Sequence, residues 1–227
     1  MRLLALFVTA VIALSAAACR GEDAAPLALD QRVSGEADAP GSQADPVERP
    51  ITVTGIENVP SLPDGLFSPE EEDLSAMEEA GFTSALVDTR FFPSEPGAEH
   101  VGDEAHLATL VLQLGSEEEA AHMADVLHDD GLEPCTGTCA VDFGEFEVDD
   151  IPEARGVARI TTAEDLEATG DQGDPFAAYK ITFADGPFAY KVTMFVFGPP
   201  GKVSQEQVEE IAKNLYERVE DSPPSQQ

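Results

Sequence analysis

The segment from Ala178 to Phe197 restricts the fold more than any other part of the chain. Strand-favouring residues stand on both sides of Asp185-Gly186, a dipeptide typical of tight turns. Pro187 has no N–H to donate, which favours a hairpin with a loop over Ala184–Pro187. In that register one side of the hairpin carries three cross-strand pairs: Phe183 with Phe188, Ile181 with Tyr190, and Tyr179 with Val192. The chain is therefore expected to contain an antiparallel sheet.

Capping-box sequences predict the helices around this sheet. Ser68–Glu71, Ser116–Glu119 and Ser204–Gln207 each combine a capping serine with Glu or Gln three residues later. A shorter helix is indicated between Thr161 and Gly170. Apolar runs predict strands at Phe82–Phe92, Leu107–Leu114 and Val157–Thr161. We expect one α+β domain, an antiparallel sheet of about four to six strands with three main helices packed on it.

The first nineteen residues have the layout of an export signal. Arg2 precedes an apolar run from Leu3 to Leu14, small residues follow, and the stretch ends at Cys19. The run is too short to cross a membrane, which takes about 20 apolar residues in a helix. We therefore predict a signal peptide over residues 1–18, cleaved before Cys19.

The residues before Cys19 resemble the lipobox of bacterial lipoproteins. Ala17 and Ala18 match its small positions, whereas Ala16 stands where the family usually has leucine. The resemblance implies a diacylglycerol on Cys19 that holds the protein at the extracytoplasmic face of the cell membrane. The chain is similar in this respect to small lipoproteins of unknown function from high-GC Gram-positive bacteria. Ordinary secretion, with the same cleavage bond, is the alternative.

The charge of the chain limits its partners. It carries 45 Asp and Glu against 12 Lys and Arg, a formal net charge of −33. Nucleic acids and anionic lipid headgroups are bound by Lys and Arg clusters, so we expect no nucleic-acid partner and contact with the membrane through the lipid alone. A protein or small-ligand partner is left unidentified.

Composition also sets the expected boundaries. The stretch up to Pro50 has no aromatic residue after the signal and is rich in Ala, Asp, Glu, Gly and Pro. We interpret residues 19–50 as the lipid attachment site and a disordered acidic tether, residues 51–221 as the domain, and residues 222–227 as a disordered tail.

Two further cysteines, Cys135 and Cys139, are separated by a short loop containing Gly137. In an exported protein such a pair is expected to form a disulfide, and the glycine permits the turn that it needs. Free thiols, metal binding and redox chemistry are the alternatives, although a redox motif usually has two intervening residues.

No residue is predicted to be catalytic, and no metal or cofactor is expected. His122, Asp125 and Asp129 share a helix face opposite the apolar one, which indicates a solvated surface. The most favoured role is a non-catalytic binding module, with an extracytoplasmic hydrolase using carboxylates as the alternative. The hairpin register also places Lys180 opposite Lys191, which suggests either neutralisation by nearby carboxylates or a small anion or partner site on an exposed sheet face.

Overall fold

The computed structural model describes residues 27–45, 49–62, 69–93, 104–132, 142–169, 174–220 and 222. These residues form eight strands, four α-helices and three short 3-10 helices. The strands are β1 (Gln43–Ala44), β2 (Ile51–Thr54), β3 (Ser84–Phe92), β4 (Ala105–Gln113), β5 (Asp142–Glu147), β6 (Arg155–Thr161), β7 (Phe176–Asp185) and β8 (Phe188–Phe197). The α-helices are α1 (Glu71–Glu79), α2 (Glu117–Leu132), α3 (Ala163–Thr169) and α4 (Gln205–Glu220).

All the strands pair antiparallel in one sheet. Their order is β1-β3-β4-β8-β7-β6-β5, and β2 also pairs with β3. The molecule is of the α+β type, but the predicted size of the sheet was wrong, since it has eight strands instead of four to six. Besides the three main helices, α3 forms where a shorter helix was indicated. The two strands that enlarge the sheet, β1 and β2, are two and four residues long and pair along the edge of β3. Strands this short carry little periodicity of their own, and pairing with an apolar neighbour defines them.

Three of the helices begin at a Ser or Thr whose side chain caps the N-terminus. Ser116 Oγ accepts the backbone N–H of Glu119 at 3.2 Å at the start of α2, and Ser204 Oγ accepts that of Gln207 at 3.3 Å at the start of α4. Thr162 caps α3 in the same way, with its Oγ1 3.2 Å from the N–H of Asp165. These local hydrogen bonds satisfy N–H groups that the helix cannot, and they explain why the boundaries of α2 and α4 were predictable.

Helices cover both faces of the sheet. Because side chains alternate along a strand, successive residues of β4 point to opposite cores. Leu107 and Val111 join the core beneath α4, whereas Leu110 and Leu112 join the core beneath α1 and α2. The apolar face of α4 is buried throughout: Val208, Ile211, Ala212, Leu215 and Val219.

The hairpin of β7 and β8 has a tighter turn than predicted. Asp185 pairs with Phe188, so the turn consists of Gly186 and Pro187 alone, with Gly186 at φ 51°. The hydrogen bond that closes a two-residue turn is donated by the residue after it, here Phe188. The missing N–H of Pro187 is therefore no obstacle. The register differs from the predicted one by two residues, since Phe183 faces Tyr190 instead of Phe188. Because side chains alternate along a strand, a shift of two residues leaves each side chain on the expected face of the sheet.

Residues 27–45 pack against the domain, where the sequence interpretation placed a tether up to residue 50. We call this segment the N-terminal strap. Ala39 is fully buried in the core beneath α4, and β1 joins the sheet. Arg218 of α4 holds Asp38 through two hydrogen bonds of 2.9 and 2.7 Å and donates to the carbonyl of Val33 at 2.8 Å. The polar clasp acts together with Leu27, Leu29 and Val33, which pack against the core beneath α4, to order the segment.

No helix among the described residues is long and apolar enough to span a membrane.

Candidate functional site

A buried histidine connects α2 to the edge of the sheet. His128 lies in the last turns of α2 with only 1% of its surface exposed. Its Nε2 is 2.9 Å from Glu145 Oε1 on β5. An ionised carboxylate only accepts hydrogen bonds, so Nε2 is the donor in this contact. Among the described residues its other ring nitrogen, Nδ1, is buried and has no hydrogen-bond partner.

Arg155, at the start of β6, extends this contact into an ion-pair network. Its guanidinium donates to Glu145 Oε1 and to Asp125 Oδ1, each at 3.3 Å. Asp125 lies on α2, three residues before His128. The side chain of Arg155 is 42% exposed, against 62% for Asp125 and 58% for Glu145. The network therefore opens to solvent, apart from the histidine at its inner end.

Two depressions meet at Arg155. The larger, the β5 cleft, has a volume of about 460 Å³. It is lined by His128, Glu145, Phe146, Glu147, Val148, Asp149, Ala154, Arg155 and Gly156. The smaller, the α2 recess, has a volume of about 80 Å³. It is lined by Ala121, Ala124, Asp125, Pro152, Glu153, Arg155, Thr182 and Ala184.

The charged side chains that line both depressions are mainly acidic. Five carboxylates line them against the single guanidinium of Arg155: Asp125, Glu145, Glu147, Asp149 and Glu153. The hydrogen bond from His128, together with that from Arg155, holds the pKa of the Glu145 carboxyl below its ordinary value, because both donors favour the charged form. At neutral pH the site therefore presents fixed negative charge to a ligand.

The turn between β5 and β6 shapes the mouth of these depressions. Asp150 and Glu153 both adopt left-handed backbone conformations, with φ of 67° and 57°, which are uncommon for residues other than glycine. Lys213 of α4 fixes the turn through a 2.6 Å ion pair with Asp150. Beside it, Gly156 leaves room for the ring of Phe146, which would stand 2.2 Å from a Cβ at that position.

The residues predicted from sequence have different outcomes. Cys19, Cys135 and Cys139 lie outside the described residues, so the lipid attachment and the disulfide stay predictions. His122, Asp125 and Asp129 are exposed, as expected for a solvated helix face. Among the described residues, no group of three or more His, Cys, Asp and Glu side chains is arranged to hold a metal ion.

The paired lysines are not an exposed site. Lys180 faces Thr193 and Lys191 faces Thr182, so the two lysines are diagonal neighbours on one face of the sheet. They are 8% and 1% exposed, and both have interaction partners. The hypothesis of an anion or partner site on an exposed face was therefore wrong, because it depended on a register that was shifted by two residues and on the absence of a covering layer.

The sequence interpretation missed His128, Glu145 and Arg155. A signal for the histidine was present, since it stands four residues after Ala124 and on the same apolar face of α2. Glu145 could not be placed, because its strand was not delimited from the pattern. Arg155 gave no signal at all, since only the folding of β6 beside α2 brings it to Asp125.

An antiparallel α+β domain with helices on both faces has a counterpart among solved structures. The chain is similar to the crystal structure of the extracellular domain of PknH from Mycobacterium tuberculosis, with a TM-score of 0.51 and 12% sequence identity. The similarity covers 86% of this chain and 97% of that one, and at this identity it concerns the fold alone. No protein-family model matches the chain, and no similar sequence was found among curated proteins.

Proposed function

We propose that this protein is a lipid-anchored, extracytoplasmic binding module without catalytic activity, and that it takes a cationic partner at the β5 cleft. The observation that carries the proposal is that five carboxylates and a single guanidinium, that of Arg155, line the two depressions, with the buried ring of His128 in the lining of the β5 cleft. Charge complementarity of this kind steers a cationic partner toward the cleft and fixes its orientation there.

Two observations support the location. The sequence before Cys19 has the layout of an export signal and resembles a lipobox, from which it departs at Ala16. The similar fold of PknH belongs to an extracellular domain. A diacylglycerol on Cys19 would hold the domain at the outer face of the membrane without help from basic residues, which this chain lacks as clusters.

The charge state of Glu145 suits it to bind a cation and not to act as a general acid. A hydrolase of that type needs a general acid whose pKa is raised toward neutrality. The pKa of Glu145 is lowered instead, by the hydrogen bonds from His128 and Arg155. This carboxylate is suited to hold a cation and unsuited to deliver a proton.

A charge-reversal experiment tests the cleft. Replacement of Glu147 and Asp149 by lysine should weaken the binding of the polyamine spermine to the mature protein by about tenfold, since each reversal removes one attraction and adds one repulsion. Isothermal titration calorimetry at fixed salt measures the effect. The matched control replaces the exposed Glu206 and Glu210 of α4, which changes the net charge equally, and should leave binding within about twofold. Equal weakening in both variants would mean that spermine binds the acidic surface at large.

The anchor has a separate test. The intact mass of the mature protein extracted from membranes should show loss of residues 1–18 and added acyl mass on Cys19. Substitution of Cys19 by alanine should release the protein into the soluble fraction, while a Cys135→Ala variant stays with the membrane. An unacylated chain with the same N-terminus would instead indicate ordinary secretion.

A further inference from the structure

The outer edge of β5 is open within the described part of the chain. β5 is the last strand of the sheet and pairs only with β6 there. Gly144, Glu145 and Glu147 are exposed, and a Cβ built on Gly144 would meet nothing within 4 Å. An open edge presents unpaired backbone N–H and C=O groups, which another extended chain can bind as an added strand.

The charges beside this edge determine which kind of extended chain could bind there. Glu145 and Glu147 are alternate residues, so they share one face of β5, and both line the β5 cleft. A second copy of this protein would bring a further formal charge of −33 to the same edge and would be repelled. A strand with Lys or Arg at alternate positions would place its cations opposite these carboxylates.

His128 supplies an observation that is independent of the acidic side chains. It lines the β5 cleft, is 1% exposed, and has an Nδ1 without a hydrogen-bond partner among the described residues. A buried polar atom without a hydrogen-bond partner is costly unless a ligand or water satisfies it. The lining of the β5 cleft therefore includes a buried ring nitrogen that no described residue satisfies.

We propose that the partner is an extended Lys- or Arg-rich segment that adds to the sheet along β5, with alternate cationic side chains entering the β5 cleft. This inference rests on the proposed function, because it assumes that the cleft binds cations. It adds that recognition uses the backbone of β5 as well as its carboxylates. Main-chain hydrogen bonds supply affinity in such complexes, and the alternate side chains supply specificity.

Backbone-modified peptides test the pairing. The parent probe is an acetylated, amidated peptide of about eight residues that alternates lysine and threonine, long enough to span β5. One derivative is N-methylated at its lysines and the other at its threonines, so each has one hydrogen-bonding edge blocked. Because only one edge of an added strand faces β5, one derivative should bind the mature protein as the parent does and the other at least about tenfold more weakly. A peptide with glutamate for lysine should not bind.

The outcomes separate the two proposals. Equal binding of the parent and both derivatives, together with spermine binding, would overturn strand addition and leave the cation cleft standing. Loss of binding in both derivatives would also overturn it, since pairing through a single edge predicts one tolerant derivative. Failure of both spermine and the parent peptide would overturn the proposed function itself. Slower hydrogen exchange at outward-facing amides of β5, with β6 unchanged, is the positive signature of an added strand.

Discussion

Replacement of Arg32 by methionine is expected to lower the free energy of unfolding by about 3 kcal/mol or more. Arg32 comes from the N-terminal strap and is 1% exposed. Its Nη1 donates to Tyr190 Oη at 2.9 Å and lies 3.3 Å from Asp185 Oδ2, and its guanidinium carbon stands 3.9 Å from the ring centre of Phe188. Methionine fills the space but leaves the hydroxyl and the carboxylate without their donor. Chemical denaturation of the mature protein measures the loss.

The pH dependence of this variant follows from Asp185. Burial raises the pKa of the Asp185 carboxyl above its ordinary value, and Arg32 opposes that rise. Without Arg32 the pKa should rise further, so the folded state favours the protonated acid more strongly. A raised folded-state pKa means that stability is lost as the pH rises through it. The defect of Arg32→Met should therefore be largest at neutral pH and shrink as the pH is lowered. Adding Asp185→Asn should restore part of the loss, and an undiminished defect at every pH would contradict the role given to this ion pair.

Deletion of residues 27–45 is expected to abolish cooperative unfolding of the domain or lower its stability by several kcal/mol, a large part of the total stability of a typical domain. The strap contributes Arg32, the Asp38–Arg218 clasp, the buried Ala39 and β1. Without it, part of the core beneath α4 and the edge of β3 would face water. Thermal unfolding followed by circular dichroism and by tyrosine fluorescence measures the change.

A control tests whether exposed residues of the strap also contribute to stability. Asp30→Asn and Glu36→Gln alter exposed positions in the same segment and should leave the melting temperature nearly unchanged. A deleted chain that melts as cooperatively as the parent would show that the strap is an appendage, and the boundary at residue 50 would then stand.

Local signals carried most of the secondary structure. The capping serines before α2 and α4 form hydrogen bonds with residues only three positions away. The apolar residues of α4 recur at helical spacing, and they are the residues that are buried. The hairpin register failed because two turn lengths satisfied the same alternation, and only the geometry at Gly186 and Pro187 distinguishes them. β1 and β2 failed because long-range pairing with β3 forms them.

The strap shows the limit of reasoning from composition. Its polar residues predict disorder when counted, yet Arg32 and Asp38 are ordered by partners more than 150 residues away. Such contacts leave no periodicity in the sequence. A charged residue in a low-hydrophobicity segment could belong to a solvated tether or to a buried clasp, and the pattern alone does not distinguish the two.

The site depends on the same kind of distant contact. His128 and Glu145 are 17 residues apart, and Arg155 and Asp125 are 30 apart. The cleft could not be predicted from its acidic residues, because carboxylates are abundant throughout the sequence. What marks the cleft is the one guanidinium and the one buried imidazole among them, which are brought together by the packing of α2 against β6 and by the His128–Glu145 hydrogen bond to β5.

The binding site itself can be mapped by amide chemical shifts of the ¹⁵N-labelled mature protein during titration with spermine. If the β5 cleft is the site, the shifts that saturate should concentrate in residues 125–128 and 144–156, including His128 and Gly156. Shifts spread over the exposed carboxylates of α1 and α4, with none that saturate in the cleft, would contradict the account.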